Sequence, residues 1–219
     1  MNPYLLAILI ILVSNYLLGL LVDRLNIKNL TPELPAEFKG IYEEEKYANS
    51  QRYTRENSRF GIFKSTLDIA VIIPFILFGG FNFIDRLARS AGFGPIITGL
   101  LFLGLLILLT GILELPFSVY DTFVIEEKYG FNKTTFKTFI LDIVKGLLLT
   151  VIIGAPIFAL ILWFFRETGK FAPLYIWIVV TVFQLFMMLI YPVVIMPLFN
   201  KFTPIEEGDL KDAIERYAR

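Results

Sequence analysis

Glu114 is the residue of this sequence whose position most needs a chemical explanation, because it lies inside an otherwise apolar run. An ionised side chain at such a depth costs about 2.5–3.5 kcal/mol on insertion scales and usually faces a bundle interior or a wet cavity. Ser118 and Asp121 follow at i+4 and i+7, on the same helical face. The spacing predicts an inward polar stripe that lines a cavity; the alternative is that Glu114 lies near the interface and snorkels to it.

Four further polar residues lie near the start of the fourth predicted span and after the end of the fifth. Asp142 and Lys145 lie three residues apart, an ion-pair spacing that lets both enter the headgroup region with a smaller desolvation cost. Asn132 and Asn200 occupy the same place in two Phe-Asn-Lys tripeptides. Together with the three residues above, these four are the candidates for the lining or the rim of a cavity.

The residue types that are missing limit the chemistry. The sequence contains no cysteine and no histidine, which excludes disulfides, thiol nucleophiles, Cys/His zinc sites and the usual general base near neutral pH. No catalytic residue and no metal ligand are therefore predicted. The 20 basic and 20 acidic residues give a formal net charge of zero, so nothing in this balance suggests a nucleic-acid partner.

The composition predicts the elements that must position these residues. Of 219 residues, 56% are hydrophobic and 16% aromatic, and the mean hydropathy is +0.69. Such values indicate an all-α, polytopic integral membrane protein with amphipathic cytoplasmic helices. We expect a transmembrane domain over residues 1–200, with five helices at residues 3–22, 62–84, 96–120, 139–165 and 173–199. The first run lacks a basic n-region and a small-residue cleavage site, so it is interpreted as a retained span.

Local signals predict where these helices begin, end and deform. Gly130 is expected to stop the helix near Tyr129, and Asn132 or Thr134 to cap the next one. Pro156 is expected to kink the fourth span. Between the first two spans, the mixed charges of residues 43–59 predict a solvated surface helix, or alternatively a lid at a substrate entrance.

The distribution of Lys and Arg predicts the orientation. Fifteen of these residues lie in the loops after spans one and three and in the tail, against four in the other two loops. This asymmetry places the N-terminus outside, in a periplasm or lumen, and the C-terminus in the cytoplasm. The stretch from residue 124 to residue 145 is then a cytoplasmic surface.

The tail from residue 201 to residue 219 predicts a further helix. Thr203, Pro204 and Glu206 have the order of an N-cap, a first-turn proline and a capping-box glutamate. An apolar face follows, formed by Leu210, Ala213, Ile214 and Tyr217. This face would lie on the membrane surface or begin a soluble domain that is truncated here, and we favour the second interpretation.

Three blocks of the sequence carry a family resemblance. They are residues 125–134 (IEEKYGFNKT), Phe139 with Asp142 and Lys145, and residues 196–204 (MPLFNKFTP) followed by Gly208, Leu210, Ile214 and Glu215. They resemble the N-terminal membrane region of the Ste24-type CAAX prenyl proteases, the M48 family of zinc metallopeptidases. The resemblance implies seven membrane helices around a large chamber, and a zinc held by an HExxH helix and a downstream glutamate.

The zinc-binding residues of that family cannot be carried over to this sequence, which has no histidine. The chain is therefore expected to be a fragment, the chamber-forming part of a zinc endopeptidase that acts on prenylated or other hydrophobic peptides, catalytically incomplete as given. Zinc is implied only for the full-length family member, and the lipid bilayer is the expected surrounding. Two alternatives stay open: a small transporter or channel with an ion path through Glu114, Asp121 and Asp142, and a non-catalytic lipid-binding subunit. The lack of internal repeats and of paired broken helices argues against the transporter.

Overall fold

The computed structural model describes residues 2–218, and Met1 and Arg219, at the ends of the predicted membrane domain and tail, lie outside the described residues. The described residues form nine α-helices and confirm the all-α class. Their bounds are α1 Pro3–Asn29, α2 Glu44–Leu77, α3 Gly80–Ser90, α4 Pro95–Tyr120, α5 Phe136–Leu149, α6 Ala155–Glu167, α7 Ala172–Ile190, α8 Met196–Phe199 and α9 Asp209–Ala218.

Five helical runs are long and apolar enough to cross a membrane, which confirms the predicted number of spans. They are Pro3–Asn29, Glu44–Leu77, Pro95–Glu126, Phe136–Glu167 and Gly169–Phe199. Large apolar side chains along them are exposed, for example Ile11 and Leu18 of α1. Helices satisfy their own backbone hydrogen bonds, so apolar side chains can face lipid without cost to the backbone.

The chain divides into two compact units, with the boundary between Phe139 and Ile140 in the first turns of α5. In the unit that ends at Phe139, α1 packs on α2, α3 packs on both α2 and α4, and α2 also contacts the segment that follows α4. In the unit that begins at Ile140, α6 packs on α7.

The second span differs from its predicted bounds at both ends. The surface helix expected at residues 43–59 and the span itself form one continuous helix, α2, of 34 residues. The prediction that this span reaches residue 84 is wrong, because α2 ends at Leu77 and Gly79 adopts a left-handed conformation, with φ +76°. Glycine adopts this conformation without a steric cost. The next residue, Gly80, lies so close to the ring of Phe75 that a Cβ there would clash.

The first helix is also longer than predicted. It continues past Asp23 and Arg24 to Asn29, where the Leu30 N–H donates to the carbonyl of Asn26. The apolar part of the helix therefore ends before the helix itself, and its last turns carry polar residues.

The predicted stop at Gly130 is confirmed. Gly130 has φ +75°, its N–H donates to the carbonyl of Glu127, and the Phe131 N–H donates to the carbonyl of Glu126. These two bonds form a Schellman motif.

The prediction that Asn132 or Thr134 caps the next helix is wrong, because the observed cap is Thr135. The Thr135 hydroxyl accepts the N–H of Thr138 at 3.2 Å, and α5 begins at Phe136. Asn132 instead accepts the N–H of Thr134 at 2.7 Å, within the turn. The reason is that the short Asn side chain satisfies its own turn two residues ahead.

Three spans contain π-helical segments near prolines. These segments are Asp121–Glu126, Thr150–Gly154 and Tyr191–Ile195. The second comes directly before Pro156, where the sequence predicts a kink, and the third contains Pro192. A proline removes one backbone donor and crowds the preceding turn, and a wider turn relieves both effects.

The tail helix begins later than predicted. Thr203, Pro204 and Glu206 lie outside it, and the Asp212 N–H donates to the carbonyl of Gly208 at 3.1 Å. The first helical bond therefore starts at Gly208, and Asp209 and Asp212 in the first turn complement the helix dipole. The side chains of the predicted apolar face are exposed: Leu210, Ala213, Ile214 and Tyr217.

Candidate functional site

An ion pair joins α2 to α4 within two of the helical runs that are able to span a membrane. The Lys64 ammonium lies 2.5 Å from the Glu114 carboxylate, and the two side chains are 34% and 37% exposed. Both groups belong to apolar stretches of their helices. Removal of charge from water is costly, and pairing offsets part of that cost. Glu114, which the sequence singled out alone, thus has a basic partner.

Two more carboxylates act on the same ammonium. Asp68, one turn after Lys64, and Asp121, on the π-helical continuation of α4, both lie close enough for a favourable Coulomb interaction with Lys64. One oxygen of Asp121 is buried and has no hydrogen-bond partner among the described residues. We call Lys64, Asp68, Glu114 and Asp121 the intramembrane charge cluster. It has three acids for one base.

A cavity of about 480 Å³ adjoins this cluster. Asp68 and Glu114 line it, and the rest of its wall is mainly apolar. That wall includes Leu67, Val71, Ile72, Leu113, Pro116 and Phe117. Such an arrangement can hold an apolar ligand and keep one polar side wet.

Ser118 does not join the cluster. Its side chain is exposed, and its hydroxyl makes no hydrogen bond to another described residue. Of the three residues in the predicted stripe, Glu114 and Asp121 belong to the intramembrane charge cluster, and Ser118 makes no hydrogen bond to it.

A second ion pair joins α2 to the segment that follows α4. The Glu56 carboxylate of α2 accepts hydrogen bonds from the Lys128 ammonium at 2.5 Å and from the Tyr129 hydroxyl at 2.8 Å. The ring of Tyr53 packs edge-on against those of Tyr129 and Phe131, with centroids 5.3 and 4.8 Å apart. We call these five residues the Glu56 junction. It fastens the loop after α4, with its Gly-Phe-Asn-Lys motif, to α2.

The Glu56 junction is accompanied by raised pKa values of its two hydrogen-bond donors, Lys128 and Tyr129. The hydrogen bond to Glu56 raises the pKa of the Lys128 ammonium above its ordinary value. Burial raises the pKa of the Tyr129 hydroxyl, and the hydrogen bond to Glu56 adds to the effect. Both groups therefore keep their protons at neutral pH, as the donors of the junction must.

Asn132 braces the same loop. Its amide nitrogen donates to the Glu127 carboxylate at 2.9 Å, and its amide oxygen accepts the Thr134 N–H. Both contacts are local to the turn, and they hold Asn132 in the loop structure.

In the second unit, the predicted pair of Asp142 and Lys145 is confirmed at 2.9 Å. The Lys145 ammonium also donates to the Leu198 carbonyl at 3.0 Å and lies 5.4 Å from the ring centroid of Phe199. The Asn200 amide donates weakly to the Met196 carbonyl at 3.4 Å. Lys145 thus connects two of the sequence blocks that carry the family resemblance.

Sequence reasoning missed two partners. The sequence did not identify Lys64 as the partner of Glu114, although an acid inside an apolar run predicts a basic partner in a neighbouring span, and Lys64 lies within the second predicted span. Glu56 carried no such signal, because it is one of many charges on a polar helix.

The described residues do not fit a zinc ion. Residues 2–218 contain no group of three or more His, Cys, Asp and Glu side chains that could hold a metal. The intramembrane charge cluster also has an ammonium at its centre, which would repel a cation. We therefore assign no zinc ligand among residues 2–218.

Five membrane-spanning runs, with charged groups paired between helices at two depths, define a polytopic helical membrane protein with an intramembrane cavity. Residues 23–201 match the family described as "CAAX prenyl protease N-terminal, five membrane helices". The chain belongs to this family, and the transporter interpretation is not favoured.

Similar proteins and one solved structure support the same family assignment. The chain is 36% identical to the CAAX prenyl protease 1 homolog of Oryza sativa, over 99% of this chain and 53% of the relative. It is 37% identical to CAAX prenyl protease 1 of Saccharomyces cerevisiae, over 85% of this chain and 43% of the relative. The crystal structure of S. mikatae Ste24p matches with a TM-score of 0.90 and 35% identity, over 99% of this chain and 52% of that one. The chain spans about half the length of the curated relatives it matches.

Proposed function

We propose that this chain forms the membrane part of a zinc metalloendopeptidase that processes prenylated CAAX-type or other membrane-associated peptides. The observation that carries the proposal is the family match over residues 23–201, together with the contact that Lys145 makes between two of the blocks of family resemblance. In this proposal the spans shelter the apolar part of the substrate, and the zinc and the catalytic residues come from outside the described residues. Zinc would supply the activated water for hydrolysis of the peptide bond.

The proposed orientation has the N-terminus in a periplasm or lumen and the C-terminus in the cytoplasm. The excess of Lys and Arg in the loops after the first and third spans and in the tail supports it. Five candidate spans, an odd number, are compatible with termini on opposite sides. The Glu56 junction then lies on the cytoplasmic side.

The candidate residues have different proposed roles. Glu114 and Asp121 form a wet side of the chamber, an assignment that the cavity beside Glu114 supports. Ser118, on the same helix, lies at the edge of that side. Asn132 shapes the loop at the rim, as its two hydrogen bonds within the turn indicate.

Asp142, Lys145 and Asn200 form the corresponding rim of the second unit. Their support is the set of contacts that converge on the segment from Met196 to Asn200. These residues position helices, and none is proposed to touch the scissile bond.

Two measurements test this function. The first determines the coding sequence beyond Arg219: an HExxH motif encoded downstream is expected, and a native stop codon with no such motif nearby would refute the peptidase assignment. The second expresses the complete gene product in membranes and offers it a farnesylated peptide and the same peptide without the farnesyl group. Preferential cleavage of the farnesylated peptide is expected, and equal cleavage of both would remove the role of the chamber in prenyl recognition.

The chamber role of Glu114 has its own test. A cysteine replaces Glu114 in this cysteine-free chain and is exposed to a membrane-impermeant thiol reagent. Labelling is expected at position 114. The matched control on the same helix is Leu115→Cys, because Leu115 is exposed and apolar and does not line this cavity. A labelling rate at position 114 no greater than at position 115 would contradict a wet chamber wall.

A further inference from the structure

A second cavity, of about 500 Å³, lies beside Glu56 of the Glu56 junction and shares Pro116 and Phe117 with the wall of the first cavity. Its wall is aromatic, with Phe60 and Phe63 from α2 and Phe117 and Tyr120 from α4. The rings of Phe60 and Tyr120 lie 5.0 Å apart, centroid to centroid. This cavity is suited to an apolar ligand.

The floor of this cavity comes from an irregular part of α4. Ile125, from the π-helical segment Asp121–Glu126, is fully buried and lines the cavity together with Pro116. Single π-helical turns inside α-helices occur frequently at functional sites. The deformation of α4 after Pro116 therefore contributes part of the concave wall.

The rim of the cavity carries two charged residues of opposite sign, Glu56 and Arg59. The Glu56 carboxylate is already engaged by Lys128 and Tyr129. Arg59 is exposed, and no carboxylate of the described residues pairs with its guanidinium. The charge that the rim offers to a ligand is thus positive.

The cavity also lies where the sequences of α2 and α4 change between polar and apolar residues. Arg59 ends the densely charged part of α2, and the mainly apolar part begins at Phe60. On α4 the apolar run ends at Tyr120, a residue type that concentrates at the membrane–water boundary. A ligand that fits here has an apolar chain below the boundary and an anionic group at it.

We propose that this cavity binds an acyl chain of an anionic phospholipid, with the lipid phosphate at the Arg59 guanidinium. Arginine presents a planar set of donors that matches a phosphate group. The aromatic wall contacts the acyl chain, and the positive charge at the rim favours a lipid with a net negative headgroup. The bound lipid contacts α2 and α4 together, so it stabilises their packing beside the Glu56 junction.

The test uses the 219-residue chain in nanodiscs of phosphatidylcholine that contain a small fraction of phosphatidylglycerol with a diazirine on its acyl chain. After irradiation, labelled peptides are mapped by mass spectrometry. We expect labels around Phe60, Phe63 and Phe117, and competition by unlabelled phosphatidylglycerol. Arg59→Gln is expected to lower this labelling about tenfold, the loss that corresponds to one charged hydrogen-bonded contact.

Two variants make the outcome specific. Arg52→Gln removes the same charge from an exposed position of the same helix that does not line the cavity, so its labelling is expected to match the wild type. Phe117→Trp fills the cavity while it keeps Arg59, and is expected to reduce labelling. The circular dichroism of each variant confirms that its helices are intact.

Three results would overturn the proposal. Equal labelling by a diazirine phosphatidylcholine would remove the selectivity for anionic lipid, and unchanged labelling in Arg59→Gln would remove the role of the rim. Stronger competition by a farnesylated peptide with a free carboxylate than by phosphatidylglycerol would assign the cavity to a peptide. None of these readouts depends on proteolysis, so they are independent of the proposed peptidase function.

Discussion

The two ion pairs between α2 and the α4 region carry opposite polarity at two depths. In the intramembrane charge cluster, α2 supplies the cation, Lys64, and α4 the anion, Glu114. At the Glu56 junction, α2 supplies the anion, and the loop after α4 supplies the cation, Lys128. Along α2 the two positions are separated by about 12 Å, at 1.5 Å per residue. A shift of α2 by two turns would place like charges together, so the reversed polarity specifies the register of the two elements.

The two pairs also differ in what surrounds them. Lys64 and Glu114 lie among apolar residues, where a lost partner leaves a charge without solvation. Lys128 is 57% exposed, and water and salt can replace its partner. The deep pair should therefore matter more for stability, and the shallow pair more for the local order of the loop.

The largest expected effect comes from Lys64→Met. The variant leaves Glu114, Asp68 and Asp121 without their cation, and we expect a loss of about 2 kcal/mol in the free energy of unfolding, between the values for exposed and for buried pairs. The double variant Lys64→Met with Glu114→Met should recover most of it, since no unpaired charge is created at position 114. SDS titration followed by circular dichroism measures both. A single variant as stable as the double would contradict the pairing.

Glu56→Gln should have a smaller effect, about 0.5 kcal/mol. The exchange of backbone amide hydrogens in residues 127–135 should accelerate, because the loop loses the acceptor that Lys128 and Tyr129 share. Glu44→Gln, at the exposed start of the same helix, is the control. In 1 M salt the difference between Glu56→Gln and wild type should shrink, while that for Lys64→Met should persist. Equal salt sensitivity of the two pairs would remove the distinction between them.

The junction should also weaken at alkaline pH. Lys128 and Tyr129 both have raised pKa values in the folded chain, so each stabilises the fold below its ordinary value, about 10, and this contribution is lost as pH rises through the folded value. Thermal unfolding followed by circular dichroism between pH 8 and pH 11 should show the decline. In the combined variant Lys128→Met with Tyr129→Phe, thermal stability should decline less steeply with pH. An identical slope would show that the alkaline loss of stability does not come from this junction.

A comparable test applies to the second unit. Lys145→Met removes the contacts to Asp142 and to the Leu198 carbonyl, and we expect a loss of about 1 kcal/mol. Lys201→Met, at an exposed position of the same unit, should be neutral. The fluorescence of Trp163 and Trp177, which both belong to this unit, reports its unfolding. Equal effects of the two lysine variants would indicate that charge alone, and not these contacts, is responsible.

Local features of the sequence predicted local features of the fold. The five spans follow from apolar runs, the stop at Gly130 from one glycine, and the Asp142–Lys145 pair from a three-residue spacing. The end of α2 at Gly79 was missed because a Gly-Gly pair inside an apolar run fits a close helix contact as well as a turn. The start of α9 was missed because a capping-box pattern at Thr203 competed with Gly208 and the acidic first turn.

Contacts between distant parts of the chain were harder to predict from the sequence. Glu114 was recognised from its unusual depth, but its partner lies 50 positions earlier, and no local spacing connects the two. The Glu56 junction joins residues 72 and 73 positions apart. Its charges look like ordinary surface charges in the sequence, and only the folded chain shows which carboxylate accepts from which donors.

The π-helical segments have a consequence for how this family varies in sequence. Each wide turn holds one residue more than the α-helical turn it replaces, which rotates everything beyond it by about 100° around the helix axis. Such segments act as absorbed single-residue insertions. Alignments of related chains should therefore place one-residue gaps at Thr150–Gly154 and at Tyr191–Ile195, and chains with a gap should carry an unbroken α-helix there.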